Sequence, residues 1–320
     1  MTEEQENLYQ LIETWDDNNI DLALQLLKGN KELEKSTKLR YQETLDVLKR
    51  KTIKSLKDMP KKWDGASQNT KLLLLDVMPV KEGSVMHQKM EAFCKTVKDL
   101  NFYNKGLKSI PDSIYRFPNL SKISATQNHI LEVDPKLFGL EKLSELNLKN
   151  NKIVALPATT AEAKQLQKLH LDNNQLTVLP TLAGDATLIQ FTATHNKIKA
   201  ISAVFCQAAS LEFLYLQFNE IETIDTTISK LTKLKVLNLA NNQLKELPET
   251  IGQLPQLETL NLTGNQLEKL PTALSNLSNI KYIWIWDNPI AKDEKAIHAL
   301  QEKMPNCKIF YQKMAAMPLR

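Results

Sequence analysis

Apolar residues return in a fixed pattern along most of this chain. An apolar residue is followed by another three positions later and a third two positions after that, and the unit then usually reaches an asparagine. Successive units begin 23 residues apart, except for one step of 22. A period in this range predicts a stack of similar supersecondary units rather than a globule around one cleft. The nine units begin at Val97, Leu120, Leu143, Leu166, Leu188, Leu211, Leu234, Leu257 and Ile280.

Within each unit the spacing predicts a short strand followed by a turn. Leu237 and Leu239 alternate with Asn238 and Ala240, so we expect the leucines to point into the core and the other two to face outward. An asparagine at the turn can pair with backbone groups of neighbouring turns through its amide, so stacking predicts a ladder. Only the first unit departs from it, with Lys105. The predicted ladder comprises Asn128, Asn151, Asn174, Asn196, Asn219, Asn242, Asn265 and Asn288.

These residues resemble the leucine-rich repeat superfamily. The stretch Leu-Pro-Glu-Thr-Ile-Gly-Gln-Leu at residues 247–254 is similar to the 23-residue class of Ras-associated and scaffold-type repeat proteins. The resemblance extends from about residue 97 to residue 310. It implies an α/β fold, a horseshoe-shaped solenoid with a parallel sheet on its concave face, and a concave face that binds protein.

The limits of the repeat predict three regions. Residues 1–93 lack the repeat and carry apolar residues at helical spacing, so we expect an α-helical region that covers the apolar edge of the first repeat. Residues 97–290 hold the nine repeats. Residues 291–320 are expected to close the stack with a helix at about 293–303, a strand at 307–311 and a tail.

Charge and cysteine usage narrow the classes of function. The chain carries 41 basic and 37 acidic side chains, a net charge of +4. Its most basic stretch, at residues 49–62, is typical of a solvated helix face. Because no concentrated basic surface is evident, we expect no nucleic-acid ligand. No apolar run is long enough to span a membrane, and no secretory signal is visible. Cys94, Cys206 and Cys307 are scattered and odd in number, which argues against a disulfide framework or a zinc site. We expect a cytoplasmic monomer.

The sequence contains no motif of an enzyme active site. Its eight glycines are not closely clustered, which argues against a phosphate-binding loop, and it has no paired metal-binding motif. The strongest catalytic candidates are His170, Asp172 and His195, which the repeat register places on adjacent strands of the concave face. Because no nucleophile or oxyanion donor accompanies them, we interpret them as exposed polar residues of a polar sheet. We predict no catalytic residue, no metal and no cofactor.

Strand positions that do not face the core differ between the two halves of the array. In the first half they are charged and polar, whereas in the second half two aromatic groups flank a trough of small side chains, about 14 Å apart across three strand spacings. Clustered tryptophan and tyrosine on a solvent-facing sheet are over-represented at binding hot spots. We therefore predict a site for a partner protein or peptide. Its predicted residues are Phe213, Tyr215, Phe218, Val236, Asn238, Tyr282, Trp284 and Trp286.

Three alternatives stay open. Stacked aromatic side chains could hold a carbohydrate chain instead of a protein. The repeats could also select the substrate of an enzyme or regulator whose activity lies in residues 1–93. Finally, the tail after Tyr311 could fold over Tyr282, Trp284 and Trp286 as a cap.

Overall fold

The computed structural model describes residues 85–182 and 186–312. The helices predicted before residue 85 and the tail after residue 312 lie outside the described residues. Among the residues described, no helix combines the length and the apolar character that crossing a membrane requires.

The described residues form two compact units. In the first, helix α1 (Val85–Thr96) is accompanied by a 3-10 helix at Asp112–Arg116, and the rings of Phe93 and Phe117 meet edge to face with centroids 6.1 Å apart. The first unit comprises residues 85–97 and 111–119, and the second comprises residues 98–110 and 120–312.

The second unit is built on a parallel sheet of ten strands and also contains a separate pair of short parallel strands. Strands follow one another in chain order across the ten-stranded sheet, as expected when each repeat adds one strand. Its strands are β1 (Asp99–Asn101), β2 (Lys122–Ser124), β3 (Glu145–Asn147), β4 (Lys168–His170), β5 (Gln190–Thr192), β7 (Phe213–Tyr215), β9 (Val236–Asn238), β10 (Thr259–Asn261), β11 (Tyr282–Trp284) and β12 (Lys308–Phe310). The short pair is β6 (Ala200–Ile201) and β8 (Thr223–Ile224).

Neighbouring strands pair in register one repeat apart. Leu237, Leu260 and Ile283 are successive partners, and all three are fully buried. The residues on either side of each point to the opposite side of the sheet, because strand side chains alternate. We call that side the open face: the first and third residues of each strand, and the residue two positions beyond the third.

Short 3-10 helices occupy most of the described segments that return from one strand to the next. Gly252 lies in one of them, where a Cβ atom would collide with the backbone carbonyl of Ala273 in the following repeat. Helix α2 (Glu294–Lys303) leads to the last strand, and the Asp293 carboxylate caps it by accepting from the Ala296 amide at 3.0 Å. The 3-10 helices of this unit are Pro135–Gly139, Ala158–Glu162, Phe205–Gln207, Thr226–Lys230, Glu249–Gln253, Thr272–Asn276 and Pro289–Lys292.

Buried asparagines join the turns of successive repeats. The Nδ2 of Asn242 donates to the carbonyls of Leu216 and Leu239 at 3.0 Å each, and its Oδ1 accepts from the Ile221 amide at 3.0 Å. The Leu216 carbonyl also accepts from Asn219, so adjacent asparagines share an acceptor. Equivalent bonds to the preceding repeat recur at all eight asparagines, none of which is more than 8% exposed.

The residue before each ladder asparagine adopts a left-handed backbone conformation. Its φ lies between 53° and 67° in every repeat from the second to the last. Asparagine, aspartate and glycine tolerate this conformation best, and a bulky residue there is strained. The eight positions hold Gln127, Asn150, Asn173, His195, Phe218, Asn241, Gly264 and Asp287.

Replacing Asn242 with alanine tests the ladder. Asn242→Ala leaves the buried Ile221 amide without its acceptor and removes one of the two asparagine donors to each of the Leu216 and Leu239 carbonyls. We therefore expect the free energy of unfolding to fall by about 3 kcal/mol. Urea unfolding followed by circular dichroism measures the change. The exposed Gln256→Ala serves as the control and should change stability by less than about 0.5 kcal/mol. Equal midpoints for the two variants would contradict a stabilising ladder.

Candidate functional site: the open face of the sheet

Two aromatic side chains occupy the open face at strand β7. Phe213 and Tyr215 flank the buried Leu214, and both are half-buried. Elsewhere in the described chain no aromatic ring packs against either of them. They therefore present unpaired aromatic surface in the middle of the sheet.

The second aromatic group lies at β11 and is partly covered by the last strand. Trp284 stacks on Phe310 with ring centroids 5.3 Å apart and planes 12° apart. The ring centroid of Tyr282 lies 5.6 Å from that of Trp284, and Tyr282 is 39% exposed. The residue that packs on the tryptophan is thus Phe310 of β12, whereas the predicted cover by the tail lies outside the described residues. Sequence reasoning did not predict Phe310 as part of this group, because β12 lies after the ninth repeat and the repeat register does not extend to it.

Small side chains separate the two aromatic groups. Ala240 and Thr263 are buried, at 6% and 3% exposure, and Val236 and Asn238 are half-buried. Tyr215, Asn238, Asn261 and Trp284 are register partners on four neighbouring strands, so the trough and its walls share one row.

Charge on the open face lies at its two ends, from β1 to β4 and at Lys308 of β12. Lys122 pairs with Glu145 at 3.6 Å and Lys149 with Asp172 at 2.9 Å, so much of this charge is neutralised within the sheet. From β5 to β11 the open-face positions contain no charged residue. The charged positions from β1 to β4 are Asp99, Lys122, Glu145, Lys149, Lys168 and Asp172.

His170 and Asp172 form part of a buried polar network. The Thr192 hydroxyl donates to Asp172 Oδ2 at 2.7 Å, and it lies 3.1 Å from His170 Nδ1, which therefore donates to it. The Thr194 amide donates to Asp172 Oδ1 at 2.8 Å. Our interpretation of His170 and Asp172 as exposed was wrong, since they are 9% and 6% exposed. Neighbouring strands cover them with Lys149 and Thr192, a contact that their own strand does not reveal.

Burial and charge shift the two titrating groups of this network. Burial lowers the pKa of His170, and the neighbouring Lys149 lowers it further. Burial alone would raise the pKa of Asp172, but hydrogen bonds from Lys149, Thr192 and the Thr194 amide hold that pKa below its usual range. The network thus keeps a neutral imidazole and an ionised carboxylate at neutral pH, and both are occupied by structural hydrogen bonds.

The third catalytic candidate, His195, takes part in a different interaction. It occupies the left-handed turn position, and its ring stacks on Phe218 of the next repeat, with centroids 4.3 Å apart and planes 6° apart. Phe218 is 47% exposed and has φ of 59°, a strained conformation for an aromatic residue. An exposed ring held in a strained turn is typical of a functional surface.

The cysteines are unreactive at neutral pH, and the described residues form no metal-binding cluster. Burial raises the pKa of Cys206 and of Cys307 to about 11 and raises that of Cys94, so these thiols stay protonated at neutral pH. In the part of the chain that the structure describes, no group of three or more histidine, cysteine, aspartate or glutamate side chains could hold a metal ion.

The buried network predicts a loss of stability in acid. The folded pKa of His170 lies below its usual value of 6.5, so the unfolded state binds more protons as the pH falls through that value. Asp172 acts in the same direction at lower pH, as its carboxylate protonates below the usual 3.8. We expect the melting temperature to fall from pH 7 to pH 5, and His170→Gln to flatten that part of the profile. The exposed His129→Gln is the control; an unchanged profile in both variants would refute the assignment.

Strain at Phe218 predicts an unusual order of stability. Phe218→Asn and Phe218→Ala both remove the ring, but only asparagine is at ease in the left-handed conformation. We expect Phe218→Asn to be more stable than Phe218→Ala by about 1 kcal/mol. Thermal unfolding of both variants measures this difference, and an alanine variant at least as stable would show that the turn is not strained.

Comparisons with known proteins agree with this architecture. Residues 118–176, 210–267 and 233–290 match a family model described as leucine rich repeat. A leucine-rich repeat protein of Leptospira interrogans superimposes with a TM-score of 0.52 at 24% identity, covering 70% of this chain and 68% of that chain. Internalin C2 of Listeria monocytogenes gives a TM-score of 0.53 at 25% identity, covering 60% of this chain and 82% of that chain. No curated protein matches the sequence significantly.

The sequence, the fold and the comparisons point to the same family. The repeat period, the parallel ten-stranded sheet and the family model all identify one kind of solenoid. The Ras-associated and scaffold-type class stays a prediction, but the predicted resemblance to the leucine-rich repeat superfamily is confirmed: this chain is a leucine-rich repeat protein.

Proposed function

We propose that this chain is a non-enzymatic interaction module that binds a partner protein through the open face, chiefly between β7 and β11. Leucine-rich repeat domains generally mediate protein–protein interaction. The observation that carries the proposal is the pair Phe213 and Tyr215, two half-buried rings in the middle of the sheet that no other aromatic ring of the described residues contacts. Such rings are typical anchors of a protein interface.

Polar chemistry on the rest of the face supports binding rather than catalysis. The His170 and Asp172 side chains are buried and hydrogen-bonded within the sheet, so neither is positioned to act on a ligand. An activity in residues 1–93 stays a prediction, since residues 1–84 lie outside the described chain. A cytoplasmic location and a monomeric state also stay predictions.

The charge distribution supports a partner recognised by apolar contact. Because the open-face positions from β5 to β11 carry no charge, binding there should depend little on ionic strength. The charged residues from β1 to β4 would then lie at the edge of the interface and contribute little to the binding free energy.

Removing the two central rings tests the proposal. We expect Phe213→Ala with Tyr215→Ala to abolish capture of the partner from native lysate, while the circular-dichroism spectrum is retained, because the rings are half-buried on the open face. Capture by the unaltered chain should persist in high salt. Affinity capture with quantitative mass spectrometry measures both.

A matched variant controls for general loss of apolar surface. Leu131→Ala with Val178→Ala removes side chains that are 54% and 60% exposed at positions outside the open face. This variant should capture the same partner as the unaltered chain. Equal capture by the Phe213 and Tyr215 variant would place the interface elsewhere.

A further inference from the structure

Two asparagines on the open face have one half of their amide held in place. The Oδ1 of Asn238 accepts from the Ala240 amide at 3.1 Å, and the Oδ1 of Asn261 accepts from the Thr263 amide at 3.1 Å. A backbone N–H requires an acceptor, so these bonds determine which amide atom is the oxygen. The Nδ2 group of each side chain is thereby oriented as a donor.

Within residues 85–182 and 186–312, neither of these donors is used. Among the described residues no acceptor binds the Nδ2 of Asn238 or of Asn261. Both side chains are half-buried, so their donors lie at a partly desolvated surface. A ligand that covers them must supply acceptors, because a buried donor without a partner is costly.

The two donors lie between aromatic walls. Asn238 and Asn261 are register partners on β9 and β10, with Tyr215 as the next partner on one side and Trp284 on the other. Strand spacing puts the two donor-bearing residues about 5 Å apart and the two aromatic residues about 14 Å apart. The row therefore presents an aromatic group, two amide donors and a second aromatic group.

We propose that this row binds the main chain of an extended, uncharged segment of the partner protein, an inference that rests on the proposed function. Carbonyl oxygens of that segment accept from the Nδ2 groups of Asn238 and Asn261. Apolar side chains at its two ends pack against Tyr215 and Trp284.

The dimensions of the row fit an extended chain. An extended chain advances about 3.3 Å per residue, so the two aromatic residues are roughly four residues of ligand apart. Because side chains of an extended chain alternate, residues four apart point to the same side, and both can face the sheet. An α-helix uses most of its carbonyls internally and would leave the two amide donors unpaired. A charged side chain would be desolvated in a trough whose open-face positions carry no opposite charge.

The charged half of the same face provides a matched control. Asn101 and Asn147 also hold the amides of Tyr103 and Lys149 through Oδ1, at 2.9 Å and 3.2 Å, and the Asn147 oxygen accepts in addition from the Thr126 hydroxyl at 3.1 Å. Their strand neighbours at the same register position are Ser124 and His170, neither of which offers a phenylalanine, tyrosine or tryptophan ring. The oxygen thus holds a backbone amide at all four positions, whereas among these four a tyrosine or tryptophan neighbour occurs only beside Asn238 and Asn261.

Selection from a displayed library of linear peptides, with the full chain as bait, provides the probe. The selected peptides should contain an uncharged stretch of roughly four or five residues with apolar residues at its ends. Replacing asparagine with aspartate keeps the oxygen that holds the backbone amide and removes the outward donor. We expect Asn238→Asp with Asn261→Asp to weaken binding of a selected peptide about tenfold or more, with an unchanged melting temperature. Asn101→Asp with Asn147→Asp adds the same charge and should bind that peptide normally.

The other outcomes are decisive. If the Asn238 and Asn261 variant binds normally while the Phe213 and Tyr215 variant does not, the proposed function stands and main-chain recognition is refuted. Selection of charged peptides, or no selection of any peptide, also refutes it, and partner capture then tests the proposed function separately. Binding of oligosaccharides on a glycan array that is lost in the Asn238 and Asn261 variant, without peptide binding, would assign the row to carbohydrate.

Discussion

The hydrogen bonds of the buried asparagines are the constraint on which the repeat array depends. Each turn brings backbone amides and carbonyls into the interior, where water cannot pair with them. One amide side chain donates to two carbonyls and accepts from an amide of the preceding repeat, as Asn242 does. Since the Leu216 carbonyl serves both Asn219 and Asn242, each repeat is held in place by the next. The strand register and the continuous open face follow from this coupling.

The same turns restrict which side chains the protein can display beside the ladder. A left-handed residue must precede each buried asparagine, and most repeats use a residue that tolerates this conformation. Phe218 does not, yet its ring is half-exposed and stacks on His195. Stability alone would favour asparagine at this position, so the phenylalanine is better explained by a function of the surface.

The open face combines two surfaces of different chemistry on one scaffold. Toward β1 much of its charge is paired across strands, as in Lys149 and Asp172, and the hydrogen bonds around that pair are made within the sheet. Toward β11 it is uncharged and aromatic, and the donors of Asn238 and Asn261 have no acceptor in the described structure. The polar groups of the first surface are already bonded to each other, whereas the second surface still has hydrogen-bond donors and aromatic rings that a ligand could contact.

The family, the core and the positions of the ladder follow from the repeat period alone. Leu237, Leu260 and Asn242 could be assigned because burial and backbone pairing impose the same residue types at a fixed period. Contacts between non-core side chains of neighbouring strands have no such period. Only the tertiary structure placed Phe310 on Trp284 and buried His170, because those contacts depend on which side chains lie next to each other across the sheet and how they pack.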